Sequence, residues 1–374
     1  MKTKFLEFFE SEKSGGIVLL FATILSILVV NSSLQADFLN IMNFQMGEHN
    51  LSEWINDGLM AIFFLYIGLE LEREIYQGEL SRLRKASLPI FAAIGGMIVP
   101  ALIFTLLNHG TPTQPGAGIP MATDIAFAIG ILSLLGKRVP LSLKIFLTAL
   151  AVIDDLGAIL VIAFFYTSFL SLIYLFCAVG IYIVLIILNR MKVFSLLPYL
   201  AGGVVMWYCM LHSGVHATLA GVLLAFAIPF GDGKKLTPSN KTLHFLHKPV
   251  SFIILPLFAL ANTAIIFNNS WSEVAQPVSL GIILGLFLGK PLGIWLFSWL
   301  PIKLGICSLP GGVRMKHILG IGFLGGIGFT MSIFITLLVF NDPALHNISK
   351  MAILAGSFVS GLTGYLWLKM TLKT

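Results

Sequence analysis

Long apolar runs separated by short polar connections cover almost the whole chain. They fall at about 14–31, 54–76, 87–108, 113–136, 141–166, 170–188, 195–211, 213–230, 249–267, 278–300, 317–340 and 348–368. A helix needs about 20 apolar residues to cross a bilayer core, so the pattern predicts an all-α polytopic membrane protein of about twelve transmembrane helices. Two runs are interrupted. The fourth places Pro112, Pro115, Gly116, Gly118 and Pro120 ahead of Thr123 and Asp124; the eleventh places Gly320, Gly325, Gly326 and Gly328 ahead of Thr330 and Ser332. Such breakers at membrane depth predict helices that open where they line a cavity rather than lipid. The longest connection, 32–53, carries strand-like patches around a Met46-Gly47 turn, a weak hairpin signal.

Composition agrees with the pattern. The 374 residues are 57% hydrophobic and 11% charged, against about a quarter charged in soluble domains, and mean hydropathy is +0.95. Thirty-six glycines and sixteen prolines suit helices that break or pack closely. The first apolar run is long for a signal-peptide core and lacks a small-x-small cleavage site, so it reads as a retained span. Residues 4–12 read as a short amphipathic helix on the membrane surface. Cys177, Cys209 and Cys307 are scattered singly and make neither a metal spacing nor a disulfide framework.

The net charge of +6 does not form a nucleic-acid stripe, because the bases lie between apolar runs. Lys2, Lys4 and Lys13 precede the first span; Arg82, Arg84 and Lys85 follow the second; Lys137 and Arg138 follow the fourth. Arg190 and Lys192 follow the sixth, Lys234, Lys235, Lys241 and Lys248 the eighth, and Lys303, Arg314 and Lys316 the tenth. The intervening connections hold no Lys or Arg except Lys350, so the alternation predicts both termini and the 230–248 loop in the cytoplasm and 32–53 outside.

Against this background Asp154 and Asp155 stand out, side by side in the middle of the fifth run. One charge at a bilayer centre costs roughly 2.5 kcal/mol or more, and adjacent carboxylates also repel each other. Helix packing does not need such a pair; a site for a cation or a proton does. Neighbouring helical residues point about 100° apart, so the two acids do not both face one ligand squarely. Lys290 is the one base deep in a span, and reads either as a counter-ion to an aspartate or to negative helix ends, or as a proton carrier. Asp124 suits the N-cap of a half-helix.

Other polar groups have plainer readings. Glu70, Arg73 and Glu74 share one helical face at the predicted cytoplasmic end of the second span, by default a solvated salt-bridged face and alternatively a cation-attracting or pH-sensing mouth. His244 and His247 precede Lys248 and titrate near neutrality when unperturbed. His216 reads as a packed or interfacial histidine, and Gly285-x-x-x-Gly289 as a close-packing signal.

Five long segments, Pro120–Gly130, Leu143–Leu160, Ser213–Gly221, Gly289–Ile294 and Gly326–Ile335, together with Ser14-Gly-Gly-Ile, resemble in order the NhaA-type sodium/proton antiporters. The resemblance covers nearly the whole chain. It implies twelve helices with inverted core repeats at about 87–166 and 278–368 and crossing broken helices in spans 4 and 11; the family is itself a known case of inverted-topology repeats. It further implies Asp155 as main cation ligand, Asp154 as its partner, Thr123 and Asp124 lining the crossing, and Lys290 as counter-charge. Glu70, Arg73, Glu74, His244 and His247 match the pH-response region. The implied substrates are Na+ or Li+ and H+, with no cofactor, and the implied setting is the bacterial inner membrane, as a homodimer through loop 32–53. Two departures bear on pH regulation: family members carry a base where this chain has Glu72, and an acid where it has Leu243.

The chemistry is consistent with that resemblance. Sodium is a hard cation that takes oxygen ligands, so protons and sodium compete for buried carboxylates whose titrations are coupled. If the core moves only when loaded, exchange follows without another coupling device. Three rival readings stand beside it. An intramembrane aspartyl protease would use Asp124 and Asp155 but leaves Asp154 and Lys290 without a role. A sodium-coupled solute symporter needs a roomier polar pocket than the remaining residues offer. A channel is the third.

Overall fold

The computed structural model describes residues 12–81, 83–165, 170–231, 237–266 and 275–372. The expected surface helix at 4–12 lies almost wholly outside them. Within them the regular secondary structure is helical apart from one short hairpin. Helix α1 spans Glu12–Val30 and α2 spans Gln35–Met42. Strands β1 (Gln45–Met46) and β2 (His49–Asn50) pair antiparallel, with Met46 opposite His49, around Gly47 at φ +79°. A left-handed turn residue is the position glycine fills without strain, so the weak hairpin signal was real.

Helix α3 runs Leu51–Tyr76 with a π turn over Trp54–Leu59. Then follow α4 (Leu83–Leu107), a 3-10 segment (Gln114–Met121), α5 (Ile125–Leu134), α6 (Leu141–Phe165), α7 (Leu172–Arg190), α8 (Leu197–Leu211) and α9 (Leu219–Ala227). The last elements are α10 (Pro238–Asn262), α11 (Pro277–Lys303), α12 (Met315–Gly325), α13 (Phe329–Val339) and α14 (Pro343–Thr371). Among the described residues, eight helices are long and apolar enough to cross a membrane, or ten if two bent pairs each count as one. Phe21, Leu106, Ile173, Phe176 and Phe358 are 66–76% exposed, which suits a lipid solvent and not water.

The stretch 238–248, read as cytoplasmic loop, is the first half of α10. Pro238 sits at its N-terminus, where a missing N–H costs nothing, and Thr242 and Leu243 are buried. The hydropathy pattern hides the helix because its buried face carries Ser239, Asn240 and Thr242 beside Leu243 and Leu246, while Phe245 is exposed.

The chain divides into two compact units. The first gathers Met1–Ser33, Arg82–Ala158 and Thr263–Thr374. Its core holds Phe104, Ile119, Leu132, Leu143 and Phe334. Helix α11 lies directly on α4: a Cβ on Gly293 would clash with the Gly95 carbonyl oxygen, so only glycine permits that approach. The second unit comprises Leu34–Ser81 and Ile159–Asn262. There α3 packs on α9 in the same way, with Gly221 against the Ala61 carbonyl, and Phe64, Leu69, Tyr199 and Phe258 fill the core.

Candidate functional site

Two short non-helical stretches, 122–124 and 326–328, lie against each other in the first unit. The 3-10 segment ends at Met121, residues 122–124 are extended, and α5 begins at Ile125. Helix α12 ends at Gly325, α13 begins at Phe329, and their axes differ by 48°. The Asp124 amide donates to the Ile327 carbonyl at 2.6 Å. Backbone groups freed by one break therefore meet those freed by the other, which is how non-helical chain is tolerated at membrane depth.

Asp124 closes both helix ends. Its Oδ1 accepts the Phe127 amide at 3.0 Å, capping α5, and its Oδ2 accepts the Thr330 amide at 3.1 Å and hydroxyl at 2.5 Å, at the start of α13. One carboxylate thus faces the positive ends of two half-helices. The cap on α5 was legible from the sequence; the second cap was not, because Thr330 lies 206 residues away. Two serines complete the crossing. Ser332 Oγ donates to the Ile119 carbonyl at 2.7 Å, and Ser357 Oγ accepts the Phe329 amide at 3.2 Å.

Beside the crossing, α6 and α11 bring together three fully buried side chains. Lys290 Nζ donates to Asp154 Oδ2 at 2.5 Å and to Thr123 Oγ1 at 2.9 Å. Thr123 Oγ1 lies 2.8 Å from Asp154 Oδ2 and 2.9 Å from the Gly325 carbonyl. Its single proton serves only one of these acceptors at a time, so the hydroxyl is a two-position contact between the aspartate and the end of α12. Lys290 follows directly on a π turn at Gly285–Gly289, a local widening that redirects a side chain and is common at functional sites. Among the described residues, Asp154 Oδ1 accepts no hydrogen bond. Asp155, next on α6, is 1% exposed and points about 100° away from Asp154. The structure thus pairs Lys290 with Asp154, a choice the sequence left open.

The remaining predicted residues lie in the second unit. Arg73 donates to Glu70 at 2.9 Å and to Glu74 at 3.5 Å on one partly exposed face of α3. His247 Nδ1 lies 3.0 Å from the Tyr66 hydroxyl, one turn before Glu70, and both His244 and His247 are exposed. Glu72, which along the chain reads as one of the acidic cluster Glu70, Glu72, Glu74 and Glu79, is 4% exposed and accepts the Ser239 hydroxyl at 2.9 Å. Its position two residues from Glu70 puts it on the opposite face of α3, and that periodicity was the available signal.

Apolar helices with lipid-compatible surfaces, an acid–lysine pair at their centre and two interrupted helices meeting beside it define an all-α, multi-pass membrane protein with the architecture of a secondary transporter. Comparison with known proteins makes the assignment specific. The family described as Na+/H+ antiporter 1 matches residues 6–368, and the chain belongs to that family. It is 60% identical to Na(+)/H(+) antiporter NhaA 1 of Flavobacterium johnsoniae, over 99% of this chain and 97% of that one. It is 62% identical to Na(+)/H(+) antiporter NhaA of Flavobacterium psychrophilum (99% and 96%), and 60% identical to the protein of that name in Cytophaga hutchinsonii (98% and 95%). These are transporters and not enzymes, which removes the protease reading.

Proposed function

We propose that this chain is a secondary active antiporter that exports Na+ or Li+ in exchange for protons. The observation that carries the reading is the juxtaposition of Asp154, Asp155, Thr123 and Lys290 with two helix breaks closed by one aspartate. Asp155 is the principal cation ligand and the proton acceptor that competes with sodium. Asp154 is held by Lys290 and keeps Oδ1 available toward the site. Thr123 couples that pair to the end of α12 through the Gly325 carbonyl. Sodium loads from the cytoplasm as Asp155 gives up its proton, the loaded core re-orients, and a proton from outside displaces the sodium. The proton gradient is the driving force.

The finer architecture follows the same reading. Twelve passes are reached by adding the short helices α8 and α9 to the ten spans counted by length. The halves 87–166 and 278–368 are inverted repeats, the setting is the bacterial inner membrane, and both termini are cytoplasmic. The hairpin in 32–53 joins two copies. Glu70, Arg73 and Glu74, with His244 and His247, adjust activity to pH. Sodium-dependent proton flux in proteoliposomes tests the proposal: adding sodium to vesicles with an imposed proton gradient should dissipate that gradient. Sodium-independent flux would support a channel, and flux that also requires an organic solute would support a symporter.

A further inference from the structure

A deep apolar cleft of about 520 Å³ opens between α1, α5 and α14 of the first unit. Its volume is that of a small-molecule site, yet almost no polar group faces it. Along α1 it extends from Gly16 to Ile27, and along α14 from Leu354 to Tyr365, eleven helical steps in each case. At 1.5 Å per residue that is about 16 Å, close to half of the roughly 30 Å hydrocarbon core. Gly16 of α1 lies against Ala126 and Gly130 of α5. Ile24 and Phe358, which line the cleft, are exposed, so it opens sideways to lipid.

The mouth at Tyr365 is basic and aromatic. Lys369 Nζ lies 5.7 Å from the centre of the Tyr365 ring. Trp367, about 200° around α14 from Tyr365, donates through Nε1 to the Lys316 carbonyl at 2.8 Å, which holds exposed Lys316 near the same end of the helix on its other face. Tyrosine and tryptophan mark the membrane interface, and lysines between helix ends attract anionic headgroups. An apolar space does not fill with water, and wall atoms facing a void lose their dispersion contacts. We propose that the cleft is a binding site for one acyl chain of an anionic phospholipid, with its headgroup at Lys369 and Lys316. The deep end of that chain rests on Phe127 and Phe329, whose rings meet edge to face at 5.0 Å where α5 and α13 begin. The lipid then touches the helix breaks without touching the acids.

The test uses the full chain in nanodiscs that contain phosphatidylglycerol with a diazirine in its acyl chain. After photolysis, adducts should map to 127–134 and 354–365. Unlabelled phosphatidylglycerol should suppress them more strongly than phosphatidylcholine, and glycerol 3-phosphate, a headgroup without a chain, should not. Gly130→Leu adds a side chain where a Cβ would meet only the Gly16 Cα at 4.0 Å; it should lose these adducts and keep those elsewhere. The pair Lys316→Gln and Lys369→Gln should keep the adducts and lose the preference for the anionic lipid. Wild-type adducts spread evenly over all lipid-facing helices, or suppressed equally by both lipids, overturn the proposal, as do adducts unchanged in Gly130→Leu. The wild-type mapping decides even if a variant fails to fold.

Discussion

Lys290 and Asp154, 136 residues apart in sequence, form a direct ion pair at 2.5 Å with neither side chain exposed. Such a pair contributes little net stability relative to apolar residues of the same shape, because both ions give up their hydration. Removing one partner is different, since it strands a charge in low dielectric. The pair therefore constrains which substitutions the core tolerates.

Lys290→Met or Asp154→Asn alone is expected to destabilise the protein by about 3–5 kcal/mol, read as thermal unfolding in detergent. The double variant should recover much of that loss, with a coupling energy well above the additive limit of about 0.5 kcal/mol. Additive losses would mean that the two groups do not act as a pair.

Asp155→Asn keeps the shape of the side chain and removes its charge and its titration. Sodium-driven proton release should vanish at every pH, while the protein still folds with the Lys290–Asp154 ion pair intact. Wild-type exchange in this variant would refute Asp155 as the cation ligand.

Glu70→Gln or Arg73→Gln breaks the 2.9 Å ion pair on the partly exposed face of α3. Exposed pairs contribute about 0–1 kcal/mol, so folding should survive. Antiport rate against pH at saturating sodium should shift along the pH axis with its maximum nearly unchanged. Profiles that superpose on wild type would return these residues to an ordinary solvated face.

Glu72 accepts the Ser239 hydroxyl inside the second unit. Ser239→Ala leaves a buried carboxylate without that donor and should cost about 1–3 kcal/mol. Glu72→Gln keeps a hydrogen-bonding group of the same size and should cost less. Equal thermal stability in Ser239→Ala and wild type would show that the contact does not matter.

Cysteines at Ser33 and Lys241, both exposed, should label from opposite sides of the membrane in a background lacking Cys177, Cys209 and Cys307. Ser239 is unsuitable for this purpose because it is buried. Labelling from one side only contradicts the proposed topology.

Much of this protein is legible along the chain because membrane solvation is a local constraint. Each span must be apolar by itself, so the runs, the breakers ahead of Asp124 and Thr330, the paired acids and the lone deep lysine can be read without any knowledge of packing. The N-cap role of Asp124 is equally local, since its partner Phe127 is three residues away.

Tertiary structure decided the rest. Two adjacent acids on one helix are equivalent in sequence, and only the rotation of α6 against α11 gives Asp154 the lysine. The second cap by Asp124, on Thr330, depends on two chain breaks meeting across 206 residues. Glu72 reads as one more charge in an acidic cluster, yet the packing of α3 against α10 takes it out of solvent and gives it Ser239. The helix over 238–248 escaped the hydropathy pattern because the face it buries is mostly polar, Ser239, Asn240 and Thr242 beside Leu243 and Leu246. In each case the partner is distant in sequence and the choice rests on which faces touch, which hydrophobicity alone does not encode.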